Sequence, residues 1–401
     1  MHFHILGVGS IGCLLAHNLR RILPAGYSIS LIHKAIRDQI RFLERGSITI
    51  EHKGEEERSS DYQHEIFNQI PSRMKEISKN LQLAGKISTG PIDSLFVTLK
   101  AYNVVPAIRA ISSRLTSNST VVLMQNGMGI YEQLLNDVFR NPSQRPHFIL
   151  ASNTHGAFAT NFYHVVHAGD GSIVFGIAPD SQGRDFEAGL YDESIPADQR
   201  RLRLIDISPP DDLQPERYKS LRATVAALLL MESLDTSWRS FADLQLVQRR
   251  KLAVNAVINP LTALLDCRNG NLFEHSQARE LSAHICDEAA AVFTAQMLAE
   301  TELWWQDLQA DGVDTSSVQK PTFPIPLTSK ALQEEVLRVA AITRQNISST
   351  LQDVRRGRNT EISFINGYLV DVGREHGVKT PVNSALGNLI QLKYLLPLNL
   401  V

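Results

Sequence analysis

The sequence predicts an α/β protein with an N-terminal Rossmann-type dinucleotide-binding domain and an all-α C-terminal domain. Three features of the 401-residue chain support this prediction: short β-rich runs alternate with helical patterns in the first half, a glycine-rich turn follows the first run, and the pattern is helical from Phe241 nearly to the end. Alternating strands and helices are typical of a parallel sheet covered by helices. We expect a first domain over residues 1–238 and a second over residues 239–401.

The elements of the first domain are predicted from helical periodicity and from continuous apolar runs, which are expected for strands buried on both faces. In chain order they are a strand over Phe3–Leu6, a helix over Ile11–Ile22, strands over Ser28–His33, Leu95–Leu99 and Thr120–Met124, a helix over Leu221–Met231 and a strand over Ser233–Trp238.

Three polar segments, at residues 51–80, 180–217 and 311–329, interrupt these patterns. The second contains four prolines among charged residues. It is interpreted as a surface insertion, and a solvated loop without function is favoured over a binding role. The third is predicted to be a long loop between two helices, because it contains Gly312 and three prolines. The insertions could instead support oligomerisation or localisation, or change the substrate by narrowing a cleft.

Charge and cysteine content exclude several classes of function. Lys and Arg total 40 and Asp and Glu total 42, so nothing favours nucleic acid or an anionic membrane as a partner. No apolar run is long enough to span a bilayer, and a strand at the N-terminus leaves no room for a signal peptide, so a cytoplasmic location is expected. Cys13, Cys267 and Cys286 show no metal-ligand spacing and are interpreted as reduced thiols; no metal site is predicted.

A glycine-rich loop directly follows the first predicted strand and opens the first helix. Its residues Gly7-Val8-Gly9-Ser10-Ile11-Gly12 match the pattern GxGxxG, and we predict that they bind the cofactor. Gly7 permits the tight turn, Gly9 lets the backbone approach a pyrophosphate, and Gly12 lets helix and strand pack closely. The N-terminus of the helix then presents free N–H groups to the anion. A glycine-rich turn without a ligand is the alternative.

The residues after the second strand indicate which dinucleotide binds. NAD-binding proteins usually carry an acidic residue there for the ribose 2′-hydroxyl. In this chain the strand ends in His33 and Lys34, Arg37 lies one turn further on, and the first carboxylate is Asp38. Cations at this place suit a 2′-phosphate, so we predict NADPH/NADP as the cofactor and Lys34 as a contact. The alternative is that Lys34 is a solvated loop charge.

Lys251, Asn255 and Asn259 are spaced by four residues within an apolar segment. On a helix they form one stripe, and burying such groups is costly unless they have partners. The alternative to a binding face is an outward-facing polar stripe.

Several motifs resemble, in order, those of the ketopantoate reductase (2-dehydropantoate 2-reductase) family. They are Leu99-Lys100-Ala101, Gln125-Asn126-Gly127-Met128-Gly129, Lys251-Leu252-Ala253-Val254-Asn255, Ile258-Asn259-Pro260-Leu261-Thr262-Ala263, Asn269-Gly270, Ile347-Ser348-Ser349-Thr350-Leu351-Gln352-Asp353, Thr360-Glu361-Ile362 and Ile365-Asn366-Gly367. Together they extend over almost the whole chain apart from the polar insertions, which makes the resemblance far more specific than one glycine pattern.

The resemblance implies an NADPH-dependent reductase that converts ketopantoate to D-pantoate in pantothenate biosynthesis, with its active site in the cleft between the two domains. Reduction of a 2-oxo acid needs a hydride at the carbonyl carbon and a proton at the oxygen. The resemblance assigns the proton to Lys251 and places Glu361 nearby, where a carboxylate would keep the amine charged. Capping of a helix is the alternative role for Glu361.

The resemblance also implies the remaining contacts. Those to the cofactor are Lys100, Asn126, the backbone of Ala157, and Glu361; those to the substrate are Asn126, Lys251, Asn255, Asn259, Asn269 and Ser349. A surface lysine at the end of a strand is the alternative for Lys100. His155 is interpreted as structural, because the family assigns the proton to the lysine.

Two other functions stay open: a related NADPH-dependent reductase of another 2-oxo acid, and a non-enzymatic NADPH-binding regulatory protein. The motif residues recognise the keto-carboxylate part that 2-oxo acids share, so they do not separate the two reductases. Loss of Lys251 or Glu361 would have favoured the non-enzymatic protein, and both residues are present. The expected partner is a small-molecule 2-oxo acid, and a homodimer is left open.

Overall fold

The computed structural model describes residues 1–66 and 90–396, and the chain divides into two compact units. The first unit comprises residues 1–125 and 130–244, and the second comprises residues 126–129 and 245–401. The division after Leu244 lies slightly beyond the predicted boundary at residue 239. The start of the helix that begins at Phe241 belongs to the first unit, because Phe241 N donates to Glu187 Oε1 at 2.6 Å and Leu244 is fully buried against Gly176.

The described strands and helices of the first unit carry the following bounds. The strands are β1 (His2–Leu6), β2 (Ser28–His33), β3 (Ile48–His52), β4 (Glu55–Ser59), β5 (Gln63–Ile66), β6 (Ser94–Val97), β7 (Thr120–Leu123), β8 (His147–Asn153), β9 (Gly156–Asn161), β10 (His164–Gly169), β11 (Ile173–Ile177) and β12 (Thr236–Trp238). The helices are α1 (Ser10–Ile22), α2 (Ile36–Arg45), α3 (Val104–Ile111), α4 (Ile130–Asp137), α5 (Ala188–Tyr191), α6 (Leu204–Ile207) and α7 (Pro215–Leu229).

Eight of the described strands form the main sheet, in the order β12-β11-β8-β7-β6-β1-β2-β5. The strands from β8 to β5 are parallel to one another, whereas β11 is antiparallel to β8 and β12 is parallel to β11. Strands β6 and β7 are buried throughout, as their apolar runs predicted. The predicted Rossmann-type fold is confirmed. Each predicted element is present, β2 with its predicted bounds and the others with shifted ends, the largest shift being the start of α7 at Pro215.

A second sheet, which the sequence did not predict, has the strand order β4-β3-β10-β9. Helix α1 contacts strands of both sheets, and its residues 12–19 are all buried as a consequence. The polar residues of this helix have partners: His17 Nδ1 lies 3.0 Å from Ser59 Oγ, and Asn18 Oδ1 accepts a hydrogen bond from Ser233 Oγ at 2.7 Å. The helix that follows the glycine loop is therefore fixed on two sides.

The interpretation of residues 51–80 as a polar insertion is wrong for its first part. Residues 51–66 contain the end of β3 and all of β4 and β5, and β5 pairs with β2 at the edge of the main sheet. The sequence conceals β4 because its residues 55–58 are charged and exposed, as is typical of an edge strand. Residues 67–80 lie outside the described residues.

The segment 180–217 is packed into the core of the first unit and is not a solvated loop. It contains α5, α6 and the start of α7. Arg184 donates two hydrogen bonds to the carboxylate of Asp212, at 2.6 and 2.9 Å, and Phe186 and Ile207 are buried in the core of the unit. These contacts explain how a polar, proline-rich segment is ordered.

In the described part of the second unit every element is helical, as predicted. The helices are α8 (Phe241–Leu265), α9 (Asn269–Leu272), α10 (Ser276–Ala310), α11 (Ser329–Ile342), α12 (Ser349–Arg355), α13 (Asn366–Glu375) and α14 (Pro381–Leu395). The long loop predicted over residues 311–329 is confirmed, since only two short 3₁₀ turns separate α10 from α11. Among the described residues, no helix combines the length and the apolar character needed to cross a membrane.

A proline inside α8 creates a break in its hydrogen bonding that another helix repairs. Pro260 has no N–H, so it cannot donate to the carbonyl oxygen of Ala256 one turn earlier. Asn366 Nδ2 donates to that oxygen at 3.0 Å and also to Asn383 Oδ1 at 2.9 Å, and both asparagines are completely buried. Helix α8 is thereby attached to α13 and α14 at its middle.

Candidate active site

The glycine loop has the geometry that a dinucleotide pyrophosphate requires. Gly7 has a φ of +107°, and a Cβ there would lie 2.8 Å from Leu99 N, so glycine is needed. A Cβ on Gly12 would collide with the Gly7 carbonyl oxygen, whereas nothing lies within 4 Å of a Cβ on Gly9. Gly9 is the N-cap of α1, whose first turn has no acidic residue. The open approach at Gly9 and the N–H groups of that turn fit a bound dinucleotide.

The end of β2 presents cations rather than the usual carboxylate. His33 is buried with Nε2 2.9 Å from His64 Nδ1, and its burial, together with that neighbour, lowers its pKa to about 3, so the ring is neutral. Lys34 is exposed at the next position, and the side chain of Arg37 is 71% exposed beside Asp38. Lys34 and Arg37 are therefore both accessible to an anionic ligand.

The other cofactor candidates of the first unit lie on separate elements. Lys100 is half-buried at the residue before the 3₁₀ turn Ala101–Asn103, beyond the end of β6. Ala157 lies on β9 and packs against the core.

His155 Nε2 lies 2.9 Å from the Leu234 carbonyl oxygen, and its Nδ1 accepts a hydrogen bond from Gly171 N at 3.0 Å. These hydrogen bonds support the structural interpretation of His155.

Three predicted site residues form a hydrogen-bonded chain within the second unit. Lys251 Nζ, on α8, donates to Asn126 Oδ1 at 2.9 Å, and Asn126 Nδ2 donates to Glu361 Oε2 at 3.4 Å. Glu361 is only 5% exposed. Asn126 thus connects an ammonium to a carboxylate, and we call these three residues the Lys251 network.

The charge state of Lys251 suits a proton donor. Burial lowers the pKa of Lys251 to about 8, while the charge of Glu361 acts in the opposite direction. An amine with this pKa is largely protonated at neutral pH, yet it releases its proton more readily than an exposed lysine does. General acids work best when their pKa lies near the working pH.

Close backbone packing holds the two loops of the Lys251 network together. Gly127 has a φ of +84°, and a Cβ there would collide with the carbonyl oxygen of Phe364. Met128 N donates to that same oxygen at 3.0 Å, and Phe364 N donates to Glu361 O at 2.9 Å. The segment after Asn126 therefore lies directly on the turn that follows Glu361, and a side chain at position 127 would separate them.

Asn255 and Asn259 continue the face of α8 that carries Lys251. Asn255 is half-buried and Asn259 is 5% exposed, so the alternative of an outward-facing polar stripe is wrong. One turn beyond Asn259, Thr262 Oγ1 lies 2.7 Å from Ser348 Oγ, and both residues are buried. This pair extends the polar face toward the start of α12.

Asn269 and Ser349 lie at the starts of other helices and make no hydrogen bond to the Lys251 network among the described residues. Asn269 Nδ2 donates to Thr343 Oγ1 at 3.0 Å, and its Oδ1 is buried with no hydrogen-bond partner in the described part of the chain. Ser349 is exposed as the first residue of α12. Their roles toward a substrate stay predictions.

Sequence reasoning missed the buried pair Thr262 and Ser348. Ser348 is the N-cap of α12 and accepts a hydrogen bond from Leu351 N at 3.1 Å. A serine before a helical run is a recognisable N-cap, and position 262 falls three residues after Asn259 on the same helix face, so both signals were present. The sequence does not reveal which of the two adjacent serines is buried.

Comparisons with known proteins identify the family to which the chain belongs. The family profile described as "Ketopantoate reductase PanE/ApbA" matches residues 3–180, and that described as "Ketopantoate reductase PanE/ApbA C terminal" matches residues 243–394. The 2-dehydropantoate 2-reductase of Escherichia coli O157:H7 is 30% identical over 301 residues, which cover 75% of this chain and 74% of the relative. The probable 2-dehydropantoate 2-reductase of Schizosaccharomyces pombe is 26% identical over 387 residues, covering 96% and 93%.

The fold is shared with solved structures as well. A ternary structure of D-mandelate dehydrogenase with NADH and anilino(oxo)acetate has a TM-score of 0.65 at 16% identity, covering 98% of both chains. The two profiles, with the relatives that match most of its length, show that the chain belongs to the ketopantoate reductase family.

Proposed function

We propose that this protein is an NADPH-dependent 2-dehydropantoate 2-reductase that forms D-pantoate, a step of pantothenate biosynthesis. The observation that carries the proposal is the Lys251 network, in which a buried acid–base pair is connected through Asn126 in a member of this family. The proposed substrate is taken from the relatives, which are named 2-dehydropantoate 2-reductases. A cytoplasmic location stays a prediction.

Lys251 is proposed to protonate the carbonyl oxygen of the substrate. A bound nicotinamide supplies the hydride that reaches the carbonyl carbon. As negative charge grows on the oxygen, the Lys251 ammonium stabilises it and then transfers a proton to give the hydroxyl. Glu361 favours the charged form of Lys251, and Asn126 holds the Nζ atom in position through its side-chain oxygen.

The asparagines on α8 are proposed to bind the substrate beside Lys251. Among the described residues the Asn255 side chain makes no hydrogen bond, so its amide is available to a carboxylate or hydroxyl group. Asn259, Asn269 and Ser349 are the further candidates.

The cofactor is proposed to bind at the glycine loop of the first unit. The open space at Gly9 and the N–H groups of the first turn of α1 support a pyrophosphate there. Exposed Lys34, with no carboxylate in its place, supports the 2′-phosphate of NADPH over NADH. Lys100 and the backbone of Ala157 are further proposed contacts.

The test is an absorbance assay of NADPH oxidation by the purified full-length protein. Ketopantoate is compared with pyruvate, 2-oxoisovalerate and benzoylformate, and NADH is run in parallel. We expect the highest kcat/KM with ketopantoate and NADPH. A higher value with another 2-oxo acid would reassign the substrate, and no oxidation with any of the four would overturn the enzymatic function.

A further inference from the structure

A cluster of metal-binding side chains lies on the second sheet of the first unit, among residues that the proposed reaction does not use. Strands β3 and β10 pair in parallel with His52 directly opposite His167. The two rings are stacked, with centroids 4.7 Å apart and planes inclined by 24°. Asp170 follows the end of β10, and its Oδ1 lies 2.8 Å from His52 Nε2. One ligand atom from each of the three residues lies within 4.8 Å of the other two.

A fourth residue, His155, orients the ring of His167. His155 Nε2 lies 2.9 Å from the Leu234 carbonyl oxygen, so this nitrogen carries the hydrogen and donates it. His155 Nδ1 is then an acceptor, and it accepts from Gly171 N at 3.0 Å. His167 Nε2 lies 3.0 Å from the same Nδ1 and must therefore be a donor as well. A neutral His167 consequently keeps its lone pair on Nδ1, the ring nitrogen left to bind a cation. A hydrogen-bonding contact with the backbone of Gly169 favours the protonated ring and therefore competes with that cation.

Histidines that bind metals almost always donate their other ring N–H to a neighbouring acceptor, which fixes ring and tautomer. The His155–His167 hydrogen bond is such a contact. Two imidazoles and a carboxylate form a donor set that suits Zn²⁺, Ni²⁺ or Cu²⁺ and not Mg²⁺ or Ca²⁺, which prefer all-oxygen sites.

We propose that His52, His167 and Asp170 bind one transition-metal dication of the Zn²⁺ class and thereby connect the ends of β3 and β10. A metal there would stabilise the second sheet, because it joins two strands that are distant in the sequence. The site goes beyond the proposed function and shares no residue with it.

Lys53 carries a positive charge that would compete with the metal for Asp170, so a substitution there tests the proposed site. It lies in the turn after β3, and its Nζ is 2.9 Å from Asp170 Oδ2. The side chains of Lys53 and Asp170 are 73% and 58% exposed, so their ion pair is weak and a dication can displace it. Replacing the ammonium with a neutral amide removes a charge that repels the metal. Lys53→Gln should therefore strengthen metal binding, while changes to the ligands should weaken it.

The experiment is a calorimetric titration of zinc chloride into the chelator-treated full-length protein. It is carried out in a His164→Ala background, because His164, Glu51 and Glu56 form a second group of possible ligands on the opposite face of the second sheet. We expect one bound Zn²⁺, at least about tenfold weaker binding for His52→Ala and Asp170→Asn, and severalfold tighter binding for Lys53→Gln.

Unchanged affinity in His52→Ala, or weaker binding in Lys53→Gln, would overturn the proposal. Thermal unfolding with chelator present identifies any variant that does not fold, and Asp170→Asn, which keeps the side-chain shape, carries the test if His52→Ala fails to fold. X-ray absorption of the zinc-loaded protein should show nitrogen and oxygen ligands only, and a sulfur ligand would refute the site. None of these measurements depends on reductase activity.

Discussion

Replacing Glu361 with glutamine tests whether this carboxylate sets the charge of Lys251. The substitution keeps the size of the side chain and removes its negative charge. Asn126 Nδ2 donates to Glu361 Oε2 at 3.4 Å, and an amide oxygen in the variant can still accept that hydrogen bond. The principal change is therefore the loss of electrostatic attraction on the ammonium of Lys251.

The expected shift follows from the geometry of the Lys251 network. The hydrogen bonds of 2.9 and 3.4 Å through the Asn126 amide limit the separation of the two charges to less than about 9 Å. At about 8 Å and an effective dielectric constant of about 20, their attraction is about 2 kcal/mol, or about 1.5 pKa units. The amide that replaces the carboxylate keeps a dipole near the ammonium, which reduces this figure. We therefore expect the pKa of Lys251, which is about 8 in the native protein, to fall by about one unit. Because the protonated amine is the proposed active form, kcat/KM should start to decrease at a lower pH in the variant than in the native protein.

The assay is the pH profile of kcat/KM for reduction of the preferred 2-oxo acid, measured across the range in which Lys251 loses its proton. In the native protein kcat/KM should decrease as the pH rises through about 8. In Glu361→Gln the same decrease in kcat/KM should occur about one pH unit lower than in the native protein. Glu334→Gln, which removes an exposed carboxylate of the same unit, serves as the matched control and should leave the profile in place. If the rate of Glu361→Gln drops equally at every pH, the electrostatic account is refuted.

Three further predictions concern other residues. Lys251→Ala should lower kcat by about 10²–10⁴, the usual contribution of a positioned acid, while NADPH binding measured by fluorescence titration persists; a near-native rate would remove Lys251 from this role. Lys34→Ala should weaken NADPH much more than NADH in the same titration, and equal losses would contradict a 2′-phosphate contact. Asn366→Leu should lower the free energy of unfolding in urea by about 1–3 kcal/mol, because Ala256 O loses its partner. A second change, Pro260→Ala, should recover part of that loss by supplying a backbone N–H, and no recovery would contradict the assignment.

The sequence predicts elements well where apolar residues are continuous and poorly where charge conceals a strand. Strand β2 was predicted with its observed bounds, Ser28–His33, because the apolar residues at its centre are recognisable in the sequence. The second sheet was missed because β4 consists largely of charged residues and β10 contains two histidines. Their strand conformation comes from pairing with distant segments, which local propensity does not record.

In the candidate site, too, the features set by neighbouring residues could be predicted from the sequence, whereas those set by distant segments could not. Spacing alone places Lys251, Asn255 and Asn259 on one helix face, since side chains four residues apart lie on the same face of an α-helix. Spacing does not bring Asn126 to Lys251, because the two lie far apart in the chain; only the resemblance to the family suggested it. The collision that any Cβ at Gly127 would make with Phe364 explains why this juxtaposition needs a glycine, but that contact is visible only in three dimensions.

The parallel pairing of β3 with β10 has a consequence for how the protein folds. It joins residues more than a hundred positions apart, so this pair must wait until the intervening chain has been made and partly ordered. Helix α1, which follows the glycine loop, obtains much of its burial from that sheet. During synthesis the loop is therefore completed early in the chain but becomes rigid late, and competence to bind a dinucleotide should emerge only after residue 169 has left the ribosome.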